Sequence, residues 1–419
     1  MKKLVFPLAI AFTLVIFSSC QQTYNGQLLG VLERPTWKNI NPYGMVYIPS
    51  GTFHIGPSDQ DITFAQQQRS KQISIQGFYM DDTEITNNEY RQFVTWVKDS
   101  IGHVMLDHFE ETEDGSQKID WTYEIFWDDP EDASALTDLY YDESEQFWGQ
   151  KQVNTKNLVF DYDWYDWKEA ARHSNRDQAR SSFIESEAVG VYPDTLAWIA
   201  DFSYSYNEPM TRNYFWHPAF DDYPVIGVSW DQAKAFSAWR TKFWNDFKNA
   251  NGETMGEDFR LPFEHEWEYA ARGGLDSSPY PWGGPYMRNK KGCILANFKP
   301  GRGNYPEDGG FYTVRADAYN PNDYGLYNMS GNVSEWTSSA FYENAYSFQH
   351  DMNPDIRFDV EDSDNPTMKR KVIRGGSWKD IAYYLQTGSR HWEYSDSAKS
   401  YVGFRNALTF LGRSMSDFQ

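Results

Sequence analysis

The chain has 419 residues, 38 Lys and Arg against 60 Asp and Glu, and 18% aromatics. That length suits one large domain or two ordinary ones, and 17 Trp, 29 Tyr and 28 Phe supply enough core to argue against global disorder. A formal charge of −22 argues against non-specific nucleic-acid binding and against a polybasic hold on a membrane surface, and two cysteines cannot make a disulfide framework or a thiolate zinc site.

The first residues read as an address. Lys2 and Lys3 form a positive start, and Leu4 to Phe17 is an apolar run too short for a comfortable membrane span. It ends in Phe17-Ser18-Ser19-Cys20, which resembles a bacterial lipobox. In that reading residues 1–19 are a cleaved signal and Cys20 carries lipid. The alternative is an uncleaved anchor helix. Acyl chains bury methylenes at about 0.8 kcal/mol each, so such an anchor holds. Loss of the two lysines takes the charge to −24, and Cys293 remains as a free thiol, expected to be packed and inert. By analogy with lipoprotein sorting, Gln21-Gln22-Thr23 without acids favours the periplasmic leaflet of an outer membrane.

Residues 20–44 read as a lipidated tether, with Gly26, Gly30, Pro35 and Pro42 and no sustained periodicity. Met45 to Gly56 alternates like two short strands joined by Pro49-Ser50-Gly51. Ile73 to Met80 reads as another strand. Thr86-Asn87-Asn88-Glu89 is a capping box, and Tyr90, Phe93, Val94 and Val97 then repeat at helical spacing.

From 99 to 222 the character changes. Fifteen acids and a single Lys lie between Asp107 and Glu145, interleaved with Trp121, Phe126, Trp127, Tyr140 and Tyr141. We read an acidic, aromatic, structured insertion. Either its aromatics face a protein partner, or they pack on the host domain. Order returns at Tyr223. Ser229-Trp230-Asp231-Gln232 is a second capping box, and Ala233, Phe236, Trp239 and Phe243 share a helical face. A third helix is bounded by Pro262 and Gly273-Gly274. Short strands and packed loops are expected beyond it, and 408–419 is a C-terminal tail.

Taken in order, several phrases resemble the formylglycine-generating-enzyme (sulfatase-modifying factor) family. They are Ile48 to Gly56, Thr83-Glu84-Ile85-Thr86-Asn87, Val228-Ser229-Trp230, Arg260-Leu261-Pro262, Glu266 to Gly274, and Tyr280-Pro281-Trp282-Gly283. Gly325-Leu326-Tyr327-Asn328 through Glu335-Trp336, Arg374-Gly375-Gly376-Ser377-Trp378 and Gly403-Phe404-Arg405 complete the series. The resemblance implies an α+β, C-type-lectin-like domain with little regular secondary structure, formed by 45–98 and 223–407 around the long acidic insertion.

Family members that oxidise cysteine to formylglycine use a cysteine pair near the carboxyl end, which binds copper. Here Ala382 and Thr387 occupy that region, so the expectation is that the chain is not an enzyme and takes no copper. Another branch uses non-haem iron on clustered His. His265 has no second His one turn away, so iron is not expected either, and His265 reads as structural. The alternative is a metal-dependent oxidase of the family with atypical ligands. In the enzymes the Gly-Leu-Tyr-Asn to Glu-Trp segment wraps calcium. The resemblance carries this onto Asn328, Gly331, Val333 and Glu335, oxygen donors that suit a hard cation. A second family site maps onto Asn297, Phe298 and Asp308, where the extra glycine of Gly309-Gly310 departs from the pattern.

The lipobox, the cysteine-free carboxyl end and the insertion occur together with Phe78-Tyr79-Met80-Asp81 and Tyr214 to Phe220. Together these resemble the gliding-motility lipoproteins of the PorK/GldK type. The resemblance implies a lipoprotein facing the periplasm from the outer membrane. It would form a ring with copies of itself and a PorN/GldN-type protein, serving type IX secretion and gliding, with no nucleic-acid partner. A different class of reading is carbohydrate binding through aromatic loops.

Overall fold

The computed structural model describes residues 41–57, 69–111, 115, 117–127, 130–301, 303–358, 360 and 364–412. The expected signal 1–19, Cys20 as the expected lipid acceptor, most of the expected tether and the tail from 413 lie outside the described residues. Among the described residues no helix is long and apolar enough to cross a membrane.

Two four-stranded sheets organise the domain. In the first, β1 (Met45–Ile48), β4 (Phe78–Asp81), β14 (Ala407–Thr409) and β9 (Phe259–Arg260) lie side by side, every pair antiparallel. Sequence-distant ends of the domain therefore meet in one sheet. The second runs β12 (His391–Tyr394), β11 (Arg370–Arg374), β10 (Ser334–Ala340), β13 (Val402–Gly403), with β13 parallel to β10. The fold is thus mixed α and β, as the resemblance implied.

Two strand expectations change in detail. The strands either side of Pro49-Ser50 form, but not as a hairpin. β2 (Gly51–Ile55) pairs with β3 (Lys71–Ile75), while β1 belongs to the first sheet. The segment Ile73 to Met80 breaks at Gln76-Gly77 into β3 and β4. A Cβ at Gly77 would stand 3.0 Å from the Tyr47 hydroxyl oxygen, so the crossing between sheets leaves little room for a side chain there.

The helices follow their caps. In α1 (Asn87–Met105) the Thr86 hydroxyl accepts from the Glu89 N–H and Glu89 accepts from the Thr86 N–H. Tyr90, Phe93, Val94 and Val97 are buried. In α2 (Trp230–Ala250) Ser229 and Gln232 cap reciprocally. Ala233, Phe236 and Trp239 are buried, but Phe243 is 61% exposed, because that helical face runs out beyond the core. The short α3 (Glu264–Arg272) is buried throughout despite three Glu, one His and one Arg, and it ends on Gly273 at φ 58°, the left-handed value that stops a helix without steric cost.

The insertion both packs and projects. It carries the hairpins β5 (Phe109–Glu111) with β6 (Gln117–Ile119) and β7 (Val159–Tyr165) with β8 (Ile184–Gly190). Phe160, Tyr162, Trp198, Tyr214 and Phe215 are buried in the apolar clusters of the domain. Phe147 and Trp148 stack on each other at 4.7 Å yet stand 63% and 83% exposed. Packing on the host domain thus holds for one set of the aromatics, while Phe147 and Trp148 stand in solvent.

Cys293 departs from expectation: it is exposed, on a turn pinned by the Asn289 side chain. It follows Lys290, Lys291 and Gly292 in a polar turn, and the next residue, Ile294, is the one that packs against the core.

Candidate functional site

The loop from Gly325 to Trp336 turns on left-handed residues: Asn328 at φ 51°, Gly331 at 87° and Asn332 at 62°. A Cβ at Gly331 would lie 2.3 Å from the Asn297 carbonyl oxygen, so only glycine fits. This path folds Asn328 and Asn332 onto Glu84, which is fully buried. The Asn328 amide donates to one Glu84 oxygen at 3.1 Å and the Asn332 amide to the other at 3.0 Å. Asn328 also donates to the Ala316 carbonyl at 2.8 Å. Glu335, at the start of β10, is buried beside them. Its two oxygens accept from the Arg405 guanidinium at 2.7 Å each, and one accepts from the Trp267 indole N–H, also at 2.7 Å.

The charges do not balance. Arg405 is bidentate to Glu335, which leaves Glu84 with amide donors only. Burial pushes the Glu84 carboxyl up to about 8; Arg405 nearby lowers it and the Glu335 charge raises it. Glu84 and Arg405 stand in phrases that carry the family resemblance, yet nothing in their spacing announces that they meet.

These contacts bear on the calcium expectation. Calcium takes six to eight oxygens at about 2.3–2.6 Å. The Glu335 oxygens face Arg405 and Trp267, and the Asn328 amide nitrogen faces Glu84. Arg405 thus already neutralises Glu335, and a cation held there with the Asn328 side-chain oxygen and the Gly331 and Val333 carbonyls would sit against a guanidinium. At the second set, Asp308 accepts from the Phe298 N–H at 2.7 Å and the Gly310 N–H at 3.1 Å. The Asn297 amide donates to the Tyr312 carbonyl at 2.8 Å and to Asn332 at 3.3 Å. These residues pin their loop. Among the described residues no three His, Cys, Asp or Glu side chains group to hold a metal. Purified protein is expected to melt at the same temperature in chelator and in millimolar calcium. A bound ion at a hundredfold excess over Kd would add about 2.7 kcal/mol, so a calcium-dependent rise of several degrees would show that the ion displaces Arg405.

A second buried network supports the site from below. Arg374 donates to Glu264 and Glu268 at 2.8 Å each, Arg390 is bidentate to Glu264, and Arg272 donates to Glu268 at 2.7 Å. Burial would raise the Glu264 carboxyl, but Arg390 and Arg374 hold it down to about 2. His265 lies in the same helix, its Nε2 2.7 Å from the Gln349 side-chain oxygen. Where the resemblance places the cysteine pair, the Ala382 carbonyl accepts from the Tyr280 hydroxyl at 2.9 Å. The buried Thr387 hydroxyl donates to the Ser278 carbonyl at 2.8 Å. Trp378, just upstream, is covered by the insertion: Trp198 and Phe202 stand 6.1 and 5.1 Å from its ring.

Comparison with known proteins gives this architecture its relatives. Formylglycine-generating enzyme of Bos taurus is 28% identical over 376 residues, 88% of this chain and 76% of the relative. The Mus musculus enzyme is 28% identical over 374 residues. An inactive C-alpha-formylglycine-generating enzyme 2 of Bos taurus is 34% identical over 192 residues, 44% of this chain and 50% of the relative. Among solved structures, PvdO from Pseudomonas aeruginosa aligns with a TM-score of 0.48 and 15% identity, covering 90% of this chain and 100% of that one.

These relatives correct one expectation. The absence of the cysteine pair led to the reading that the chain is not an enzyme, but the relatives that match it over 88% of its length are named as enzymes. A missing ligand pair does not set a chain outside a family whose scaffold it keeps. The sulfatase-modifying factor enzyme 1-like domain matches residues 33–410, and the chain belongs to that family.

Proposed function

We propose that the chain is a lipid-anchored subunit of a cell-envelope assembly, of the PorK/GldK type, held through Cys20 on the periplasmic face of the outer membrane. It would form a ring with copies of itself and a PorN/GldN-type protein. The observation that carries this reading is the stacked, exposed Phe147–Trp148 pair. It lies on a turn that follows Asp142, Glu143 and Glu145, and Trp148 stands at a left-handed φ of 56°. Exposed aromatics preceded by acids suit anchoring to a basic partner, with the charges steering the encounter. A closed ring also requires two different faces of each protomer to meet.

Deleting the whole insertion is not the test, because Phe160, Tyr162 and Trp198 belong to the core. The test has two parts. Cys20→Ala is expected to remove the protein from the outer-membrane fraction and from metabolic lipid labelling; unchanged fractionation with label would overturn the anchor. Phe147→Ser with Trp148→Ser is expected to keep the melting temperature. It should weaken recovery of the ring partner about thirtyfold, the effect of losing roughly 2 kcal/mol of anchor. Full recovery with the double variant would remove the pair from the interface.

A second reading, a metal-dependent oxidase of the family with atypical ligands, is favoured by the names of the relatives. Aldehyde formation from a cysteine peptide, assayed with copper and reductant, is its measurement.

A further inference from the structure

The hairpin of β7 and β8 is a two-stranded sheet, so each strand has one edge without a strand neighbour. The direct pairings Val191 N–H to Leu158 carbonyl and Asp166 N–H to Phe183 carbonyl fix which groups face inward. Backbone bonds alternate along an antiparallel pair. The even residues of β7 therefore bond to β8, and the N–H and carbonyl groups of Val159, Asp161, Asp163 and Tyr165 point out along the free edge. No backbone bond from another described element reaches them.

That edge opens on a cleft of about 1000 Å³ between the hairpin, α2 and β9. All seven residues of β7 line it and none of β8 does. A cleft lying over the face of the sheet would be lined by both strands, so this one runs along the edge.

The side chains alternate with the backbone. Phe160 and Tyr162 are buried toward the core, while Asp161 and Asp163 are exposed. Asp163 accepts from the Ser186 hydroxyl, and neither aspartate forms an ion pair among the described residues. Of the six cations on the cleft wall, four face acids: Lys234 pairs with Glu187 at 2.6 Å, Arg260 with Glu266 at 2.7 Å, Lys242 with Asp246 at 3.9 Å, and Arg357 with Asp355. The buried Lys371 donates to the Phe358 carbonyl, and Lys168 is exposed beyond the end of the strand. Along β7 itself the charge is therefore negative, at Asp161 and Asp163. A second copy pairing through β7 would bring aspartates onto aspartates, which is unfavourable across strands.

We propose that the free edge of β7 takes up, by strand addition, an extended segment of about seven residues from a basic partner protein, with Lys or Arg alternating with apolar residues. Main-chain bonds to Val159, Asp161, Asp163 and Tyr165 hold it, basic side chains meet Asp161 and Asp163, and apolar ones enter the aromatic cleft. Seven residues of strand span about 23 Å. The inference deepens the assembly reading and rests on it for a partner in the envelope.

The test uses the full-length, detergent-solubilised protein and fluorescence anisotropy of a labelled Lys-Val-Lys-Phe-Lys-Val-Lys peptide. Its acidic counterpart has Glu in place of Lys. The basic peptide is expected to bind at least tenfold tighter than the acidic one. Asp161→Pro removes an outward N–H without touching the ladder to β8, the position where an edge strand tolerates proline. It is expected to weaken the basic peptide tenfold or more with melting unchanged. Asp161→Lys with Asp163→Lys, which leaves the backbone alone, is expected to reverse the preference. Equal binding of the two peptides, or no change in both variants, overturns the inference. If Asp161→Pro loses the peptide yet still co-purifies with the ring partner, the edge is not the assembly contact and the assembly reading stands. If the peptide binds as expected but no partner is recovered from membranes, the assembly reading falls instead.

Discussion

Arg374→Met is expected to cost about 3–5 kcal/mol of stability, the usual effect of removing one member of a buried ion network. Arg374 is almost fully buried on β11, donating to Glu264, Glu268 and the carbonyls of Thr387 and Ser389. One guanidinium therefore ties α3 to the second sheet and to the segment after it. Methionine fills much of the volume but leaves two buried carbonyl oxygens without that donor, and Glu268 with only Arg272 as its cation. Urea denaturation reads the loss as a lower midpoint at unchanged slope. A loss below about 1 kcal/mol would mean that Arg272 and Arg390 neutralise both carboxylates without help.

Glu84→Gln is expected to gain stability relative to wild type as pH rises from 5 to above 8. The folded Glu84 carboxyl is pushed up to about 8 from an ordinary 4.5 by burial first, with Glu335 adding to it and Arg405 opposing. Between those values the native state keeps a proton that the unfolded chain releases. The stability contributed by this group is thus full below about pH 4.5 and is lost as pH rises through 8. At 1.36 kcal/mol per unit the limit is on the order of 5 kcal/mol. Glutamine does not titrate, and its NH2 group meets the amide donor of Asn328 or Asn332, which adds a cost that is the same at every pH. The difference in stability between variant and wild type should therefore shift in the variant's favour from pH 5 to its limit above pH 8, measured by urea denaturation across pH. A difference independent of pH would show that Glu84 stays ionised in the fold.

Local signals reached as far as local physics does. The capping boxes at Thr86 and Ser229 and the apolar stripe of Tyr90, Phe93, Val94 and Val97 formed as read, because a cap and a helical face are set by residues within a turn or two. The order of the motifs placed the chain in its family. Long-range pairing was not legible: nothing local sends β1 to β4, or β4 to β14, when β2 lies three residues downstream of β1, since strand partners are chosen by the whole core. Burial of charge was equally hidden. Glu84, Glu335 and Arg405 are 70 or more positions from one another in the chain, and only tertiary contact decides that Arg405 goes to Glu335 and the proton to Glu84. The insertion read as one acidic, aromatic segment. The structure alone sorted its rings into Trp198 and Tyr214 packed against the domain and Phe147 and Trp148 left in solvent, because which side of an aromatic is covered depends on what the rest of the chain brings to it.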